Sequence, residues 1–354
     1  MKTSPLEKIK PEVRAIEGYH LTSYDCPVKL NQNESPFDVP DDLKAKILDT
    51  VQNRPWYRYP EPMPTDLVAD LAEYVGVSPE NVIVANGSNS LVQLFLAVTT
   101  GPGVPVIIPS PSFSLYEIYT GIFGGNAIQV PLSSEFAFDM ESICSAVRSE
   151  AANSVILCSP NNPTGCTVSN SDLESLLGNT DALVLLDEAY GEFSDHTALD
   201  LLPEFPNLVV LKTFSKAFGS AGIRIGYLIA QSDVRNQILK GKIPFDINVF
   251  SHAAARTILR ESKLLQERVE FIKRERDRVF SNLMALNGVT PYPSQANLIL
   301  FEVEEPEKVF NGLVERGVLI RNVTSYPMLS NALRVSIGTG KENDRFLEAL
   351  EATL

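Results

Sequence analysis

Between Thr213 and Tyr227 the chain reads TFSKAFGSAGIRIGY: Lys216 follows a hydroxyl residue, Ser215, just past an apolar run, and Arg224 stands eight residues beyond the lysine. One loop therefore offers an amine nucleophile together with phosphate donors. A pyridoxal phosphate site needs that pairing, because the aldehyde requires a lysine for a Schiff base and the phosphate requires hydroxyl, guanidinium and backbone N–H partners. Taken alone, a Ser-Lys pair beside glycines also fits an ordinary surface turn. Other polar segments strengthen the cofactor reading.

Asp187 closes the apolar run Leu183 to Leu186. A carboxylate at the end of a buried strand can reach a pyridine nitrogen and keep it protonated, so that the ring accepts electrons when a bond to Cα breaks. The alternative for Asp187 is a helix cap. Tyr190, three residues on, is placed to bond the ring's phenolic oxygen, or is simply a helix-facing aromatic. In Ser159 to Gly165 (SPNNPTG), Asn162 precedes a proline, which disfavours helix and leaves its amide to point into a pocket. The turn Asn86-Gly87-Ser88-Asn89 precedes a helical stretch expected over 90–99, whose first N–H groups can bind an anion. With Ser215 and Arg224, the backbone of Gly87, Ser88 and Asn89 would complete a phosphate cup.

These segments need a scaffold that brings them together. From about residue 81 to 230, short apolar runs alternate with amphipathic stretches, and the runs are continuous rather than alternating. Strands of that kind are covered on both faces, so the expected fold is α/β, with a mostly parallel seven-stranded sheet between helix layers and ligands gathered at the strands' carboxyl ends. Beyond residue 248 the texture changes to a charged helix over 261–286, followed by a compact strand and helix mixture. The expected organisation is a large cofactor-binding domain over 55–250. A smaller α+β domain would be built from 1–54 and 251–354, the amino-terminal part having no sheet of its own.

Composition narrows the partners. The 354 residues carry a net charge of −14 with pI near 4.8, and the cations are scattered, which argues against nucleic acid. Four cysteines without a C-x-x-C pair and three histidines suggest neither a metal cluster nor a disulfide framework. The reading is a cytoplasmic protein that binds no metal and no membrane, since no signal-like segment and no run of about eighteen apolar residues occurs.

Taken in order, the motifs LNQNESP (30–36), RYPEP (58–62), the Asn-Gly-Ser turn, NNPTG, DEAY, the lysine loop and LRVSIGT (333–339) resemble those of fold-type I pyridoxal phosphate aminotransferases, with an aspartate-aminotransferase-like fold. Within that group the chain is most similar to histidinol-phosphate aminotransferases. The resemblance implies that Lys216 is the Schiff-base lysine, Asp187 the pyridinium partner, and Asn162 with Tyr190 the partners of the ring oxygen. It implies phosphate contacts from Ser215, Arg224 and the Gly87–Asn89 backbone, and stacking by Phe113, where tyrosine is common in the family.

The same resemblance makes Arg334 the grip for an α-carboxylate and Arg321 the contact for a distal phosphate, with Tyr19 assisting and Asn33 and Asn248 at the pocket. It implies that Tyr59 crosses to a neighbouring subunit's cofactor phosphate, hence a homodimer with shared active sites. The implied reaction is transamination between histidinol phosphate and 2-oxoglutarate. Threonine-phosphate decarboxylation, aromatic or broad-range transamination and a ligand-sensor domain use the same scaffold.

Overall fold

A computed structural model describes residues 4–18 and 22–354, so Tyr19 lies outside the described residues. In chain order the strands are β1 (Val28–Lys29), β2 (Val82–Ala85), β3 (Pro105–Ser110), β4 (Asn126–Pro131), β5 (Ser154–Cys158), β6 (Leu183–Asp187), β7 (Leu208–Thr213), β8 (Gly226–Ala230), β9 (Val289–Pro291), β10 (Leu298–Val303), β11 (Val318–Leu319), β12 (Arg321–Asn322) and β13 (Ala332–Ser336). The helices are α1 (Pro11–Ala15), α2 (Asp41–Gln52), α3 (Thr65–Val75), α4 (Ser88–Thr99), α5 (Leu115–Ile122), α6 (Met140–Ser149), α7 (Asn170–Gly178), α8 (Ser232–Leu239), α9 (Val249–Leu259), α10 (Ser262–Ala285), α11 (Pro306–Glu315) and α12 (Gly340–Glu351).

The continuous apolar runs become a seven-stranded sheet ordered β2-β8-β7-β6-β5-β3-β4. Side chains alternate across it: Val82, Val84, Val155, Leu157, Val184 and Leu186 enter one helix layer, while Ile83, Ile156, Cys158, Leu185 and Leu211 enter the other. Each face is thus covered, which is why the runs lack a polar alternation. β4, at the edge, is the exception and is largely open to solvent. All pairings are parallel except those of β8, which runs antiparallel to both β2 and β7. That reversal carries the start of β8, and Arg224 just before it, to the rim where β2, β5, β6 and β7 end.

A second sheet, ordered β12-β13-β10-β9 and antiparallel, forms from the carboxyl-terminal part, and α12 is held at its start by a capping box between Thr339 and Glu342. The run Val318 to Arg321 is divided at Ile320: β11 pairs with β1, and β12 pairs with β13. The amino-terminal segment contributes β1 to the pairing with β11, and its first helix, α1, lies against α5, with Lys10 donating to the Ile122 carbonyl. No described helix is long and apolar enough to cross a membrane.

Beneath the rim, Lys212 on β7 is buried against two carboxylates, Glu188 at 3.0 Å and Glu192 at 3.3 Å. Glu188 also accepts from the Thr197 hydroxyl at 2.9 Å and the Ala198 N–H at 2.7 Å. Burial works against the ammonium, but the charges of Glu192 and Glu188 outweigh it and hold the Lys212 pKa well above the usual range. This cluster anchors the segment that follows Asp187. Lys212→Met should lower the unfolding free energy by about 3–5 kcal/mol, because it strands buried carboxylates without a countercharge; an unchanged urea midpoint would show the cluster to be dispensable.

Candidate active site

The loops at the strands' carboxyl ends surround a cavity of about 360 Å³, lined among others by Ser88, Asn89, Phe113, Asn162, Asp187, Tyr190, Ser215, Lys216, Arg224, Arg321 and Arg334. One end is an anion cradle. Gly87 stands at the start of α4 with φ +82°, and its side makes no cap, so the first N–H groups of Ser88 and Asn89 face outward from the helix end. A Cβ on Gly87 would come to 2.3 Å from Nη2 of Arg224, and one on Gly226 to 2.4 Å from the Ser88 nitrogen. The guanidinium and the helix start approach each other because both glycines leave the space. Arg224 itself has φ +54° and donates to Ser215 Oγ at 3.3 Å, which puts hydroxyl, guanidinium and N–H donors in one place.

Lys216 lies at the cavity wall and its Nζ donates to the Gln32 carbonyl at 2.9 Å. Burial, then the positive charges of Arg334 and Arg224, depress its pKa from 10.5 to about 8, against the opposing pull of Glu34 and Asp187. An amine so placed is substantially neutral near pH 8, the form that attacks a carbonyl. Asp187 ends β6, buried, with Oδ1 accepting from the Ala189 N–H at 2.9 Å and Oδ2 from the Tyr116 hydroxyl at 2.7 Å. Burial raises its pKa to about 6, and those two donors resist the rise. It is therefore still anionic at neutral pH. It caps no helix, which disposes of the bland alternative.

Tyr190 is buried and its hydroxyl accepts from Asn33 Nδ2 at 2.9 Å. Burial raises the phenol's pKa, while Arg334 and Asn33 work the other way. Asn162 does reach the cavity, but its Oδ1 is taken by Arg334 Nη1, which leaves the amide N–H₂ for a ligand. Arg334 on β13 is buried and also donates to the Asn31 carbonyl at 2.6 Å. Arg321 on β12 stands directly opposite Arg334 in the antiparallel register, so both guanidiniums rise from one face of the second sheet.

A sequence profile described as "Aminotransferase class I and II" matches residues 27–350. The chain belongs to that family. A histidinol-phosphate aminotransferase from Chlorobaculum tepidum is 40% identical over 345 residues, covering 97% of this chain and 99% of its own. The solved histidinol-phosphate aminotransferase of Sinorhizobium meliloti, in complex with pyridoxal-5'-phosphate, superposes with a TM-score of 0.88 at 24% identity, covering 97% of this chain and 96% of that one. An L-threonine-O-3-phosphate decarboxylase from Porphyromonas gingivalis shares the fold too, at a TM-score of 0.80 and 23% identity, covering 92% and 98% of the two chains. The fold alone thus does not separate amino transfer from decarboxylation.

Within this aminotransferase the donor set fits a phosphorylated pyridine aldehyde: an anion cradle, a depressed lysine, a buried carboxylate and Phe113 line one cavity. Some residues sit otherwise than the motifs suggest. Asn33 lines the cavity as expected, but its amide is engaged by Ser336, at 2.9 Å, and by Tyr190, so that it positions the tyrosine. Asn248 caps α9 by accepting from the N–H groups of Phe250 and Ser251 and does not line the cavity. The helix after the Asn-Gly-Ser turn starts at Ser88 rather than Ser90. Tyr59 is 84% exposed, against Phe245, outside the cavity. Tyr116 and the Gln32 carbonyl were not singled out from sequence, although the spacing of Tyr116 from Phe113, one helical turn, was readable.

The close approach at Gly87 is open to a direct test. Gly87→Ala should displace the Arg224 guanidinium and weaken pyridoxal phosphate binding about 10–100-fold, as expected for lost charge-assisted hydrogen bonds, while leaving the affinity for unphosphorylated pyridoxal unchanged. Equal losses for both ligands would mean that the cradle does not hold a phosphate.

Proposed function

We propose that this aminotransferase binds pyridoxal 5'-phosphate and moves the amino group of L-histidinol phosphate to 2-oxoglutarate, giving imidazole acetol phosphate and L-glutamate in histidine biosynthesis. The observation that carries the reading is one cavity joining Lys216, with its depressed pKa, to the paired arginines Arg321 and Arg334. The name borne by relatives about 40% identical over nearly the whole chain supports the choice of substrate.

When bound, pyridoxal phosphate supplies an aldehyde that exchanges between amines and a pyridinium ring that takes up the electron pair released at the substrate's Cα. Lys216 would hold the aldehyde and, once freed, its amine would carry the proton taken from the substrate's Cα. Asp187 would favour the protonated form of the ring nitrogen. Tyr190, Asn162 and Phe113 would hold the ring, and Ser215, Arg224, Gly87, Ser88 and Asn89 would hold the phosphate. Arg334 binds the α-carboxylate of glutamate, and Arg321, with Tyr19, binds the phosphate of the phosphorylated amine, which has no α-carboxylate. Two differently shaped anions thus use one pocket.

The active form in this reading is a homodimer. Tyr59, 84% exposed, packs its ring against Phe245, and its neighbours Trp56 and Tyr57 are 72% and 81% exposed; a second copy would cover these apolar side chains while bringing Tyr59 to the neighbouring cofactor phosphate. The domain division proposed is 55–250 for the cofactor and 1–54 with 251–354 for the smaller unit. A cytoplasmic location is supported by four unpaired cysteines, and the net charge of −14 argues against nucleic-acid partners.

The arginine assignment separates this reading from its rivals. Arg321→Ala should raise KM for histidinol phosphate about 10–100-fold and leave the glutamate half-reaction nearly unchanged, with Arg334→Ala showing the opposite preference. Equal effects on both substrates, or carbon dioxide release from threonine phosphate without consumption of 2-oxoglutarate, would overturn it.

A further inference from the structure

The two donors on Asp187 differ in origin. The Ala189 N–H belongs to the carboxylate's own turn, whereas the Tyr116 hydroxyl arrives from α5, across the sheet rim, at 2.7 Å. Tyr116 is completely buried, and its ring meets Phe113 edge to face, with centroids 5.5 Å apart and planes at 86°. Burial and the negative charge of Asp187 both raise the phenol's pKa, so the hydroxyl stays protonated and can only donate to the carboxylate. The other titratable groups facing Asp187 are Cys158 on β5, Glu188 and Tyr190 on its own segment, and Lys216 after β7. Of the groups described, Tyr116 is the side chain that hydrogen-bonds the carboxylate.

We propose that Tyr116 is a positioning residue of the cofactor site, whose hydroxyl fixes the Asp187 carboxylate in orientation and holds it ionised toward a cationic ring nitrogen. The proposal rests on the pyridoxal phosphate reading. A buried carboxylate with one donor removed is harder to ionise, because an O–H···O⁻ bond favours the charged form and its loss leaves burial unopposed. The sign follows: attraction for a ring cation is present above the carboxyl's pKa and lost as pH falls through it. Removing the hydroxyl moves that loss upward, into the neutral range. The same tyrosine touches both Asp187 and Phe113, two residues that would hold the ring, which makes α5 the element that sets both.

Tyr116→Phe removes one oxygen and keeps the ring, including its contact with Phe113. Pyridoxal phosphate binding to wild type and variant is followed by visible absorbance of the bound cofactor from about pH 5 to 9. The variant should bind about tenfold more weakly at neutral pH, with the acid-side loss of affinity shifted up by about one pH unit. In the Asp187→Ala background the same substitution should cost nothing further, since its partner is gone. A fluorinated tyrosine at position 116, a stronger donor of similar shape, should shift the profile toward acid, and this arm serves also if the phenylalanine variant fails to fold. Profiles that superimpose on wild type, or an equal loss without Asp187, would overturn the inference while leaving the cofactor reading intact. Failure of the wild type to bind the cofactor would overturn both.

Discussion

Lys216 is partly buried beside guanidinium groups that oppose its protonation, and the chemistry of the whole cavity depends on that environment. The contrast lies four residues back in the same segment. Lys212 is buried, but Glu188 and Glu192 stand against it, so its ammonium is locked in the charged form as a structural cation. Two lysines four residues apart, in surroundings of opposite sign, thereby differ: one amine is pushed toward its neutral form and the other is held as a charged anchor.

That division requires several chain segments to arrive at one rim. The parallel strands β5, β6 and β7 deliver Asn162, Asp187 and Lys216 from their carboxyl ends, and β3 delivers Phe113. The antiparallel β8 is what admits Arg224, since only a reversed strand begins where its neighbours end. The glycines at 87 and 226 then let the helix start and the guanidinium approach each other. From the second sheet, the register of β12 against β13 sets Arg321 opposite Arg334. Neither sheet contains the site; it lies where the two meet.

What was legible in the sequence was what is local. Ser215, Lys216 and Arg224 share a loop, and the buried strands declare themselves by unbroken apolar runs, so the residues that line this half of the cavity could be read from the sequence. Contacts made through space left weaker traces. Tyr116 looks like a helix aromatic until the fold carries its hydroxyl to Asp187, and a backbone carbonyl such as that of Gln32 has no side-chain signature at all. Asn33 and Asn248 were recognised as polar groups near the site, yet hydrogen bonding to Ser336 and Tyr190 in one case, and to a helix start in the other, decided their roles. The split of 318–321 between two sheets likewise depended on β1, a partner nearly three hundred residues away in sequence.

The most direct test of the central claim is to reduce the cofactor-loaded enzyme with borohydride and locate the pyridoxyl label by peptide mass spectrometry. The account predicts a single label on Lys216 and none on Lys212, in spite of their shared segment. A label on Lys212, or one spread over surface lysines, would contradict it.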